Sequence, residues 1–299
     1  MSFREGLSTI VVATDLKGQS EAALEYARKL AGAYGARIVL AHGEDPVDYA
    51  AVDAIPGRVR QGLSAEARSI LDNLAGNMLR EGIHSHTEIG QGEVAQMLVD
   101  VARQYRAGLI VIGTKGNEGA GPVIVGAIAE QLVRLAPCPV LAVADDWNAG
   151  HHRPTPGGPV LLAMEGNEAA TAAAAAAYSL AETFDRPLLM LHARTAAEAS
   201  AFLNPRATAP EKFGIDPKGR VLVRALVKDG VPADVIAEAI AQYHPSVLVM
   251  GVKRSSHTPG PHGTAFALLS CSRVPVLCVP PELVPEHPAQ EQSITMIAG

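Results

Sequence analysis

Leu109-Ile-Val-Ile-Gly-Thr-Lys-Gly116, nine further residues and then Gly126-Ala-Ile-Ala-Glu-Gln-Leu-Val-Arg134 form the stretch on which the fold turns. An apolar run, Leu109 to Ile112, reads as a buried strand. The glycine-bearing segment from Gly113 to Gly126 reads as a loop, and Ala127 opens a helix. Glycine lets backbone approach a ligand closely and tolerates positive φ. A helix N-terminus adds unpaired N–H groups and the positive end of a dipole, so the combination suits a phosphate. Turn geometry alone is the competing explanation for each glycine, and the surroundings must decide.

Working outward, strand-like and helix-like segments alternate. Ile10 to Thr14 is an apolar strand, followed by helical spacing over Ser20 to Tyr34 and a second strand over Arg37 to His42. Gly43 to Gly57 reads as a loop with Pro46, Pro56 and Gly57 as breakers, and Ser64 to Glu81 as a long amphipathic helix. His84 to Ile89 is a polar strand, Glu93 to Tyr105 a helix, and Val140 to Ala144 a last strand. Strands separated by helices predict an α/β domain with a parallel sheet covered on both faces.

After a polar Gly/Pro-rich segment, Asp145 to Pro159, the pattern restarts. Leu162-Ala-Met-Glu165 matches Val12-Ala-Thr-Asp15, and Met190-Leu-His192 matches Leu40-Ala-His42, both at an offset of 150. Ser246 to Lys253 matches Gly108 to Lys115 at 138, and Arg273 to Val279 matches Pro137 to Val143 at 136. The drift predicts a contraction between the second and third strands of the second repeat. The long helix there is expected to shrink to about Ala196–Leu203, before a loop over Pro205 to Gly219. The expected division is a first domain over 1–146, a linker over 147–158, a second domain over 159–281 and a tail over 282–299.

Composition excludes several classes. At 299 residues, 48% hydrophobic and 19% charged, the chain is globular. A formal net charge of -6 argues against a general nucleic-acid surface. No apolar run approaches the roughly 18 residues of a membrane span. No secretion signal is read at the N-terminus, and Cys138, Cys271 and Cys278 show no pairing motif, so a reduced, cytoplasmic setting is expected. Cys138 and Cys278 read as small core residues.

In an open parallel sheet a ligand sits outside the carboxyl ends of the strands, where strand order reverses. Asp15 lies just past the first strand and Gly113 to Gly126 just past the fourth. If those strands are neighbours, both loops line one crevice. A carboxylate there accepts hydrogen bonds from a ribose or helps to hold a metal on a polyphosphate. The competing reading of Asp15 is an N-cap for the following helix.

At these residues the sequence resembles the universal stress protein family in its tandem two-domain form. Gly113-Thr-Lys-Gly116, nine residues and Gly126 match the family's glycine signature. Val11-Val-Ala-Thr-Asp15 and Ala136-Pro-Cys-Pro-Val-Leu-Ala-Val143 match its first strand and last helix–strand junction. The resemblance spans nearly the whole chain and is weakest at 194–219 and after 281. It implies two tandem Rossmann-like domains of the adenine nucleotide alpha hydrolase-like kind. Each would hold five parallel strands ordered 3-2-1-4-5 with helices on both faces. It further implies bound ATP or AMP, with Mg²⁺ on the phosphates as an option, and dimer-like pairing through the last strands. That pairing would join the two domains of one chain and leaves a homodimer open.

By position, the resemblance places Thr14 and Asp15 at the ribose or its metal, backbone near Gly43 at the adenine, and Gly113, Gly116 and Gly126 around the ribose and phosphates. Lys115, like Lys17, is either an electrostatic aid or a solvated lysine. Ala127 stands where the family pattern has a hydroxyl residue, a loss worth about 1.5–3 kcal/mol if the hydroxyl bonds a charged group. The second repeat departs further. Glu165 replaces the aspartate, Gly251 is followed at the second glycine position by Arg254, and eight rather than nine residues precede Gly263, although Thr264 keeps the hydroxyl. A degenerate second site is expected, with Arg254 filling the phosphate pocket or binding an anion.

No catalytic residue and no protein-built metal site are assigned. His84 with His86, and His257 with His262, lack further ligands at metal spacing. His151-His152 reads as a solvated linker pair. Asp15 with Glu44 could form a carboxylate pair, although Glu44 also fits as an ordinary loop residue. Three function classes stay open: a nucleotide-responsive stress or signalling module, a scaffold that binds no nucleotide, and a slow ATPase, for which no general base or arginine finger is readable.

Overall fold

Five runs in each half become strands, and the inner ones are buried on both faces. β1 (Thr9–Ala13), β4 (Leu109–Thr114) and β5 (Val140–Ala144) are almost wholly inaccessible, as are β6 (Val160–Met164), β9 (Val247–Gly251) and β10 (Val276–Val279). The computed structural model describes residues 3–16, 20–44, 57–114, 127–144, 158–164, 169–194, 210–213, 215, 219–253 and 264–281. The first half is completed by β2 (Arg37–Glu44) and β3 (Ser85–Gln91), with α1 (Phe3–Gly6), α2 (Glu21–Tyr34), α3 (Gly57–Arg80), α4 (Val94–Gln104) and α5 (Ala127–Leu135). The second half adds β7 (Leu188–Arg194) and β8 (Val223–Asp229), with α6 (Ala170–Thr183), α7 (Pro232–Tyr243) and α8 (Thr264–Cys271).

All ten strands belong to one sheet ordered β3-β2-β1-β4-β5-β10-β9-β6-β7-β8, so each half has the expected order 3-2-1-4-5. Pairing is parallel within each half and antiparallel where the halves meet, with Leu141 opposite Leu277 and Val140 opposite Cys278. The register reproduces the offsets read from the sequence. Ile10 pairs with Leu109, and Val160 with Val247, so the first and fourth strands keep 150 and 138. Ile38 pairs with Ser85 and Leu188 with Val223, so the offset falls from 150 to 138 between β7 and β8, where the contraction is expected.

The helices bury apolar stripes on both faces. Ala23, Ala27 and Leu30 of α2, Leu71 and Met78 of α3 and the alanines of α6 cover one face, where they meet Ile10 of β1, Leu40 of β2 and Leu162 of β6. Leu98 of α4, Leu132 of α5, Ile236 of α7 and Leu268 of α8 cover the other. Helix α2 stops at Gly35, whose φ of 69° lets its N–H reach the Ala31 carbonyl. Across the seam the Tyr34 and Ser179 hydroxyls share a hydrogen bond at 3.3 Å, α1 packs on α6, and the Arg134 guanidinium sits 5.5 Å from the centre of the Phe266 ring.

Several boundaries differ from expectation. α3 starts at Gly57 rather than Ser64; of the two glycines this adds, Gly57 is the first residue, and Gly62 in the interior costs only about 1 kcal/mol relative to alanine. β3 starts at Ser85, leaving His84 outside it. β2 continues through Gly43 and Glu44, and β4 through Gly113 and Thr114. At Gly43 the reason is packing. A Cβ on Gly43 would lie 2.8 Å from Val94 Cγ2, and one on Gly90, its partner in β3, 2.3 Å from Met97 Cγ. The two glycines let α4 press onto the strand ends. The helix expected near Ala196–Leu203 and the tail from 282 lie outside the described residues. Within the loop expected over Pro205 to Gly219, Pro210–Phe213 forms a short 3₁₀ turn.

Candidate functional site

β1 pairs with β2 on one side and β4 on the other, so strand order reverses at β1. The chain leaves β1 toward β2 and returns through β3 and α4 to β4, which opens a crevice at the carboxyl ends of β1 and β4. Thr14, Asp15 and Leu16 occupy that position. The Thr14 N–H extends the ladder to the Ala41 carbonyl at 2.9 Å. Leu16 then takes φ of 58°, an unusual value for a branched side chain, which turns the backbone out of the strand.

A hydroxyl relay holds this bend. Ser20 Oγ donates to Asp15 Oδ1 at 2.9 Å and accepts the Asp15 N–H at 3.3 Å. With its single proton committed to the carboxylate, Ser20 must accept from the Thr14 hydroxyl across their 3.0 Å contact. Thr14 Oγ1 in turn accepts the Leu16 N–H at 3.2 Å. Thr14 and Ser20 are both buried, at 7% and 9% exposure, so their hydroxyls satisfy each other and the loop. Ser20 occupies the N-cap position of α2 but makes no side-chain cap. Asp15 is therefore not the helix cap, one of the two readings its sequence position allows.

Below the relay, His42 Nδ1 lies 2.8 Å from the Thr14 carbonyl. That oxygen can only accept, so the ring proton sits on Nδ1. The duplication supplies an internal control. His192, 150 residues on, makes the same contact to the Met164 carbonyl at 3.3 Å. Among the described residues the relay has no counterpart: Met164 stands for Thr14, and alanine, at 169 and 170, for Ser20. The histidine clamp is common to both halves, whereas among the described residues the relay is found in the first half only.

The other expected residues fall in several places. Gly113 lies inside β4 opposite Val143, and Gly43 inside β2 opposite Gly90, so neither begins a loop. Gly251 likewise closes β9 opposite Val279. Ala127 is the first residue of α5, and Thr264, half-buried, the first of α8. Lys115, Gly116, Gly126, Glu165, Arg254 and Gly263 lie outside the described residues, as do Lys17, His151, His152, His257 and His262. His86 is exposed and packs 5.9 Å from the Tyr105 ring, whose hydroxyl donates to Glu88 Oε1 at 2.5 Å. That bond raises the Tyr105 pKa above its usual value. Among the described residues no group of three His, Cys, Asp or Glu side chains could hold a metal. No described helix is long and apolar enough to cross a membrane. Ser20 is the residue that sequence reasoning misses. Its only signal is a hydroxyl at the start of a helix beside Asp15, easily read as a cap.

Comparison with known proteins agrees with this architecture. The model of the universal stress protein family matches residues 6–144 and again 158–280. A universal stress protein of Mycolicibacterium smegmatis is 28% identical over 192 residues, which span 61% of this chain and 63% of that protein. One of Thermus aquaticus is 30% identical over 140 residues, 45% of this chain and 97% of that one. The crystal structure of a universal stress protein from Archaeoglobus fulgidus shares the fold, with a TM-score of 0.75, 18% identity and coverage of 92% of this chain and 99% of that chain.

Proposed function

The chain belongs to the universal stress protein family, and from that premise we propose that its first half binds one adenine nucleotide, ATP or AMP, and works as a nucleotide-responsive stress or signalling module. The observation that carries the reading is the Asp15 carboxylate, fixed by Ser20 at the point where strand order reverses. A carboxylate held there suits the hydroxyls of a ribose, which donate in pairs, or an Mg²⁺ ion riding on the phosphates. The glycine segment after β4, with Lys115, Gly116 and Gly126, would supply backbone N–H groups to the phosphates at the start of α5.

The second half is proposed to be a degenerate site. Met164 and the two alanines cannot build the relay, and a methionine thioether offers a ribose little. A structural role for the second half is favoured by the seam, where β10 pairs with β5 and carries the one sheet across into the second half. No catalytic role is assigned to any residue. A reducing, cytoplasmic setting is part of the proposal, supported by the buried free thiol of Cys278.

The test is to purify the protein without added nucleotide, release bound small molecules by heat, and quantify them per chain by mass spectrometry, followed by titration of the stripped protein with ATP and Mg²⁺. About one nucleotide per chain, bound measurably more weakly by Asp15→Ala, supports the reading. No released nucleotide and no heat of binding would replace it with a scaffold that binds none.

A further inference from the structure

Ser20 occupies the N-cap of α2, where a serine normally bonds a backbone N–H in the first helical turn. Here the hydroxyl makes no such bond. All three of its hydrogen-bonding capacities go elsewhere: one proton to Asp15 Oδ1, and two lone pairs to the Asp15 N–H and the Thr14 hydroxyl. A helix start gives up a cap, and a buried hydroxyl pair is committed to one carboxylate that follows a strand at the reversal point of the sheet. The second half shows that the fold does not require this. β6, β7 and α6 assemble with Met164 and alanines in place of Thr14 and Ser20, and retain the histidine clamp through His192.

We infer that Ser20 and Thr14 are positioning residues for Asp15, which set its carboxylate for a ribose and so decide the preference for a ribonucleotide over a deoxyribonucleotide. The inference rests on the nucleotide reading of the first half. Ser20 fixes Oδ1 from one side and the main-chain N–H of Asp15 from the other, which locks both the χ angles and the backbone that carries them. Thr14 holds Ser20 in turn and, through the Leu16 N–H, the left-handed residue that turns the chain away from the carboxylate. Without the relay, Asp15 keeps its charge but loses the hold of Ser20 on Oδ1 and on its main-chain N–H. Affinity for a group that demands direction, such as a vicinal diol, then falls more than affinity for the phosphates, whose attraction depends mainly on charge.

The experiment is a double-mutant cycle on the full chain, read by calorimetric titration with ATP and with 2′,3′-dideoxy-ATP, each with Mg²⁺, on protein shown to be folded by circular dichroism. Ser20→Ala and Thr14→Val are expected to weaken ATP binding on the order of tenfold and to remove most of the discrimination against the dideoxy analogue. Thr14→Ser, which keeps the hydroxyl, should bind like the wild type. In an Asp15→Ala background, Ser20→Ala should cost nothing further, because the residue acts through that carboxylate. Additive losses, or a preserved ribose preference in Ser20→Ala, would overturn the positioning role while leaving the nucleotide site intact. Absence of binding by the wild-type protein would overturn the site itself and the relay's role with it. Should Ser20→Ala fail to fold, Thr14→Val and Thr14→Ser carry the same comparison.

Discussion

Replacing Gly108 with alanine should destabilise the protein more than any other conservative change at a described glycine outside the second half. Gly108 lies just before β4, where its N–H bonds the Thr9 carbonyl. A Cβ there would stand 2.1 Å from the Gly6 carbonyl oxygen, 2.7 Å from its carbon and 3.0 Å from Leu7 Cα. All three are backbone atoms, so no rotamer change can yield, and the main chain at the end of α1 or at the start of β4 must shift. Overpacking of a tight core costs about 1–3 kcal/mol, and the rigid neighbours place this site at about 3 kcal/mol. Gly158 shows the same close approach from the other side, with a Cβ 2.2 Å from the His244 carbonyl oxygen. At this junction of first and fourth strands each half keeps one glycine, before β4 in the first and before β6 in the second. The matched control is Gly32 in α2, where a Cβ meets nothing within 4 Å. Gly32→Ala should gain about 0.5–1 kcal/mol from helix propensity. Urea unfolding followed by circular dichroism measures both. A Gly108→Ala midpoint equal to or above that of the wild type, with an unchanged slope, refutes the steric argument.

Other outcomes are expected as well. Leu277→Ala, at the antiparallel seam opposite Leu141, should cost about 2–5 kcal/mol; a loss below about 1 kcal/mol in the same unfolding assay would mean that the seam contributes little. Burial pushes the Cys278 thiol up to about 12 from an ordinary 9.0, so it should resist a thiol-specific reagent at mildly alkaline pH until denaturant is added. The sign for stability follows from the same shift. The unfolded thiol ionises near 9.0 while the folded one stays neutral, so this contribution is intact below that value and declines as pH rises toward about 12. Cys278→Ser should flatten that decline, and an unchanged slope would count against it. Asp15→Ala should abolish ribose-dependent binding yet leave the melting temperature within a few degrees of the wild type, since the carboxylate is only partly buried; a collapse of the fold would instead make Asp15 structural.

Most of the topology was legible because parallel strands buried on both faces are written as unbroken apolar runs, and because the duplication states each register twice. Offsets of 150 and 138 between matched segments are, in the folded chain, the pairings Ile10–Leu109 and Val160–Val247. Strand ends were less legible. Gly43 and Gly113 look like loop residues, and only the pressure of α4 on Gly43 and Gly90 shows that glycine can continue a strand to admit a helix. Asp15 could be placed at the crevice from its position after β1. The relay could not, because Ser20 lies five residues on and reaches Asp15 only through the left-handed turn at Leu16. A branched residue at positive φ leaves no trace in a sequence pattern. The loss of the relay in the second half, by contrast, is open to reading once Thr14 and Ser20 are known to matter, since Met164 and Ala170 occupy the matched positions.

The antiparallel seam between β5 and β10 has a consequence in mass action. Two separate chains that joined through this edge would form and part according to their concentration, and a ligand could act by shifting that balance. Here the partner strand is tethered in the same molecule, at an effective concentration of about millimolar or above for a short connection. The joined sheet therefore persists at any dilution, and its state carries no information about protein abundance. If the first half binds a nucleotide as proposed, its signal would have to leave through something other than assembly at the seam: the two outer strands, β3 and β8, or the loops at the carboxyl ends of the strands.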